Sequence, residues 1–210
     1  MQAARELSVG VAHEINNVLG VIVGNAHLAM KNVADAPALE RYLAEIRNAA
    51  EEGREVMRQL STIAGEDRAR PRLVSLNDLA HQLTQGVEKA VELTPSEVEP
   101  QVELDLWLAQ DALGSVAKFM ASATSVTRLR VATRILGHAA MLTLEDDGPS
   151  PSDPELASVF SPFSRLGGRP KHGLDLTKLA YLAEQAHGHV SAGRVEPSGL
   201  RLVLTLPTRE

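Results

Sequence analysis

His13, Glu14 and Asn17 stand in the stretch VGVAHEINNVLGVIVGN, residues 9–25, among mostly apolar neighbours. Leu7, Val11, Ile15, Val18 and Ile22 recur at spacings of four, four, three and four, which keeps them on one stripe of a 3.6-residue helix. Each residue turns a helix by about 100°, so His13 lies nearly opposite Val11 and Ile15, with Asn17 one turn on along its own face. A histidine so placed can present a neutral imidazole nitrogen to phosphorus when an acceptor fixes its tautomer, and Glu14 is the adjacent acceptor. Asn17 can orient a water, since its uncharged amide both donates and accepts. A zinc helix needs a second histidine one turn after the first, and that position holds asparagine. The competing reading is a solvated polar face with no chemistry.

Such a face needs a helix held from the other side. After NVADAPALE, where Asp35 can cap and Pro37 suits a first turn, a second helix is expected to carry Leu39, Leu43, Ile46, Ala50, Gly53, Met57 and Leu60. Two helices cannot bury so long a seam alone, so the pattern predicts a homodimer forming a four-helix bundle. A simple helical hairpin packed on a second domain is the alternative. Ala49, Ala50 and Gly53 thin the seam and allow close approach.

The character changes after the charged linker AGEDRARPR. Helix is expected from Asn77, as cap, to Leu93, then a strand at QVELDLWL and a helix at DALGSVAKFMASATSV. Strands follow at RLRVATRI and AAMLTLEDD, then a loop from Gly148, a helix at LDLTKLAYLAEQAHG, and strands at HVSAGRV and GLRLVLTLP. The order implies an α+β chain. It comprises the helical hairpin of residues 1–66, a linker at 67–73, and an α/β sandwich at 74–210, one mostly antiparallel sheet with helices on one face.

Composition narrows the partners. The 210 residues carry a net charge of -6 with no Lys/Arg-rich run, which argues against nucleic acid or an anionic membrane surface as the main partner. With no cysteine, neither disulfides nor thiolate metal sites are available. The apolar run Val18–Val23 is too short to span a bilayer, and the N-terminus lacks the shape of a signal peptide, so a cytoplasmic location is expected. Aromatic residues make up 3% of the chain, leaving the core to Leu, Val, Ile and Ala.

The segment ELSVGVAHEINNVLGVI resembles the phosphoacceptor box of two-component sensor histidine kinases, at the same place in a dimerising hairpin. The resemblance implies that His13 accepts the phosphoryl group, Glu14 assists as base and orienter, and Asn17 supports hydrolysis of a partner's aspartyl phosphate. Val18 departs from the family's usual proline. The second domain extends the resemblance: LEDDGPSP, FSPFSR and GLDLTKLAYLAEQAHGHVSAGRVEPSGLRLVLTLP look like the C-terminal half of the family's ATP-binding domain.

That fold binds ATP through an acid facing the adenine amino group, polar side chains holding magnesium, and glycines that admit the phosphates. Asp146 and Gly148 match the first glycine box, but its second glycine is Ser150. The magnesium box aligns with KFMASA, which puts Lys118 and Ser122 at the asparagine positions. In the second glycine box Gly173 remains, flanked by Lys171 and Asp175. Asp146, Gly148 and Gly173 thus read as a remnant site, and the Phe160–Phe163 segment as packing. His27, His81, His138, His172, His187 and His189 are scattered, with no ligand spacing.

A preserved phosphoacceptor helix beside a decayed nucleotide site resembles stand-alone histidine phosphotransferases. These are homodimers that pass phosphoryl groups between receiver-domain aspartates, with no ATP or magnesium of their own. The alternatives are an ATP- and magnesium-dependent sensor kinase core and a non-catalytic dimeric scaffold.

Overall fold

The computed structural model describes residues 19–30, 40, 43–48, 50, 51, 53, 54, 71–161, 164–169 and 175–208. The chain divides into two compact units, Met1–Arg68 and Ala69–Glu210.

In the first unit, residues 19–30 form helix α1, and the helical residues 43–48, 50, 51, 53 and 54 are labelled α2. The two touch where a side chain at Gly53 would meet Leu19 Cδ1 at 3.1 Å. Ala26 and Ala50 are buried, whereas Val21, Ile22, Leu28 and Ile46 are exposed.

The second unit is an α+β layer structure. In chain order it runs β1 (Arg72–Ser75), α3 (Leu76–Gln85), β2 (Ala90–Thr94), β3 (Gln101–Leu104), α4 (Leu106–Ser122), β4 (Arg128–Leu136) and β5 (Ala139–Asp146). It ends with α5 (Asp153–Ser158), α6 (Asp175–Gln185), β6 (His189–Arg194) and β7 (Leu200–Pro207). The main sheet has the order β2-β4-β5-β7-β6, and β1 and β3 pair separately. Only β2 with β4 is parallel among these pairs. Strict alternation in β4, β5 and β7 puts Leu129, Val131, Leu142, Leu144, Leu202 and Leu204 on one face, where α3, α4 and α6 contribute to the same core.

The helix expected from Asn77 to Leu93 is shorter. Ser75 is its cap, accepting from Asp78 N at 2.9 Å, and it ends at Gly86. Asn77 instead holds the loop after β2, its amide exchanging hydrogen bonds with Ser96 O at 3.0 Å and Ser96 N at 3.2 Å. Ala90–Thr94 becomes a strand through parallel pairing with β4, a contact that local pattern does not encode. Asp105 interrupts the strand expected at QVELDLWL by capping α4 through Leu108 N at 2.9 Å.

Candidate functional site

Asp146 ends β5, on the strand next to β7, and both its side chain and that of Arg169 have no solvent exposure. The guanidinium meets the carboxylate with two parallel bonds, Nη1 to Oδ2 at 2.7 Å and Nη2 to Oδ1 at 2.8 Å, and Nη2 also donates to Pro149 O at 2.9 Å. Oδ1 accepts further from Gly148 N at 2.9 Å and Leu200 N at 3.2 Å. An ionised carboxylate has about four lone-pair sites, and Asp146 already receives four hydrogen bonds. Among the described residues Arg169 Nε is buried with no partner, a cost accepted to hold the fork in place.

Local sequence explains how Arg169 gets there. Ser152-x-x-Glu155 makes a capping box at α5, with Glu155 Oε2 accepting from Ser152 N at 2.7 Å and from its hydroxyl at 2.6 Å. The other oxygen of Glu155 accepts from Gly167 N. Gly168 has φ +70°, and a Cβ there would press on Pro149 Cγ at 3.0 Å, so the loop can lie flat across Pro149 only with glycine. The chain then delivers Arg169 to Asp146. Gly148 is equally crowded: a Cβ would sit 2.6 Å from Val126 Cγ2 and 3.3 Å from Arg169 Nη2.

Hydrogen bonds from the Ser152 hydroxyl and N–H and from Gly167 N hold the Glu155 carboxyl down at about 2, from an ordinary 4.5. Because the folded value is depressed, this contribution is complete above about pH 4.5 and is lost as pH falls from there toward 2. Hydrogen exchange should therefore show the Gly167 amide well protected at neutral pH and losing protection across that acid window. Glu155→Ala should lose it at every pH.

The neighbouring loops are stitched rather than open. Ser150, standing where a second glycine was expected, accepts from Gly199 N at 3.1 Å, and Arg194 Nε donates to Pro151 O at 2.6 Å. Burial pushes the Asp147 carboxyl up, but donors from Thr127 and the Arg128 N–H outweigh it and leave it below its ordinary value.

A second charged cluster joins α4 to α6. Lys178 Nζ, with 1% of its side chain exposed, lies 2.9 Å from Asp111 Oδ2 and 3.8 Å from Asp175 Oδ1. Asp175, read in the sequence as flanking the remnant second glycine box, here flanks this internal cation. Ser122 and Ser115 turn their hydroxyls back onto the helix backbone, at 2.6 Å to Phe119 O and 2.8 Å to Asp111 O. Lys118 is exposed and leans toward the end of α3, where a Cβ at Gly86 would lie 3.9 Å from its Cε. Lys178→Met should destabilise the unit by about 1–3 kcal/mol, because Asp111 and Asp175 keep partial access to water when the cation goes. Urea unfolding measures it.

Of the residues singled out in the sequence, Asp146 and Gly148 are brought together. His13, Glu14, Asn17 and Gly173 lie outside the described residues. Arg169, Asp111 and Lys178 were not anticipated. Lys178 had left a signal: it sits four residues before Leu182 on a buried stripe, where a lysine needs a carboxylate.

No protein-family model matches the chain. It is 26% identical over 226 residues to the sensor protein TorS of Escherichia coli (strain K12), an alignment covering 99% of this chain and 24% of that protein. The chain thus spans about a quarter of that relative. Among solved structures it is similar to ShkA in complex with AMPPNP, with TM-score 0.69, 17% identity, and 97% of this chain and 46% of that one covered. It is also similar to the Acinetobacter baumannii histidine kinase AdeS, with TM-score 0.64, 14% identity, and 92% and 97% covered. The histidine kinase ThkA in complex with the response regulator TrrA gives TM-score 0.63 and 20% identity, with 97% and 61% covered.

Proposed function

We propose that this chain, which has the fold of the two-component sensor histidine kinases and sequence similarity to one of them, carries a phosphoryl group on His13 and exchanges it with receiver-domain aspartates without using ATP. The observation that carries the ATP-free part is the Asp146–Arg169 pair. The acid that would accept from an adenine amino group has its donors already, and the guanidinium supplying two of them fills the space beside it. Among the described residues, this pairing supports a site that takes no nucleotide base.

Exchange asks little of the carrier beyond position. A neutral imidazole nitrogen of His13 attacks the phosphorus of a receiver's aspartyl phosphate. The P–N bond forms as the P–O bond to the aspartate breaks, and the receiver regains its carboxylate. Glu14 holds the proton on the other ring nitrogen, and the receiver brings the magnesium that offsets charge on the phosphoryl oxygens. The reverse step loads a second receiver. The ThkA complex with a response regulator supports receivers as the partner class. Exposed Val21, Ile22, Leu28 and Ile46 support a homodimer in which a second copy covers them.

Calorimetric titration with ATP, with and without magnesium, followed by mixing with labelled phosphorylated receivers, tests the reading. The expected result is no micromolar ATP binding and label transferred to His13. Labelling of His13 from ATP would place the chain among ATP-dependent kinases, and label from neither source would leave a scaffold. Asn17→Ala should slow dephosphorylation of the receiver about tenfold or more while His13 still takes up label. Equal loss of both activities would remove the role given to Asn17.

A further inference from the structure

We draw no further inference here: the strongest candidate, the apolar groove of about 260 Å³ between α3 and α4, floored by Leu79, Leu83 and Leu113 and bordered by Lys118, carries nothing, because nothing in the structure shows what covers it.

Discussion

Arg169→Ala lowers the stability of the second unit by about 3–5 kcal/mol, the range for removing one partner of a fully buried ion pair. The size follows from where the other partner is left. Without the guanidinium, Asp146 keeps only the N–H groups of Gly148 and Leu200, in a place that water does not reach. Arg194–Asp153 is the contrast: with 41% and 88% of the side chains exposed, it contributes at most about 1 kcal/mol. Replacing both buried partners, with Asp146→Asn and Arg169→Leu together, should recover a large part of the loss, since the desolvated charge disappears with its mate. Urea unfolding of the wild type, Asp146→Asn, Arg169→Leu and the double variant closes the cycle. A loss below about 1 kcal/mol for Arg169→Ala would mean that the pair is solvated in solution. Nucleotide titration of the same variant has separate value: ATP binding that appears only after Arg169 is removed would identify the guanidinium as the barrier to the base.

The parts of the fold legible in the sequence are those set by local period. The β4, β5 and β7 strands alternate residue by residue, and α4 and α6 keep apolar stripes, so their faces follow from pattern alone. β2 does not, because VELT reads as the end of a helix until β4 pairs with it from 38 positions along the chain. α5 was hidden in a loop rich in proline and serine, although its Ser-x-x-Glu cap was a usable signal. At the site, Asp146 and Gly148 were visible as a motif, whereas Arg169 is a lone arginine in a loop, 23 positions on. Only the paired Gly167-Gly168 before it hinted that the chain there must pass close to something. The substitution of an acid for glycine at 175 was legible as a departure. Its physical meaning, a carboxylate beside the buried Lys178, needed the packing of α6 on α4.

His13→Gln should abolish phosphoryl uptake from receivers, a loss of at least about a thousandfold, because the step removed is the covalent one. Glutamine matches histidine in polarity and reach, but its amide nitrogen shares its lone pair with the carbonyl and cannot attack phosphorus. Receiver affinity should stay within about twofold, since a single side chain of similar size and polarity is exchanged, and the far-ultraviolet circular dichroism should match the wild type. The chemistry of the label identifies the carrier independently of the mutant. A phosphoryl group on imidazole nitrogen is lost in acid and survives base, whereas an acyl phosphate on aspartate is lost in base. Wild-type protein should therefore hold base-stable, acid-labile label after mixing with a phosphorylated receiver, and His13→Gln should hold none. If His13→Gln retained base-stable label, another histidine would be the carrier. If the variant lacked label yet kept full signalling output in cells, binding without chemistry would be the function, and the pair at Asp146 would then be the lock of a scaffold.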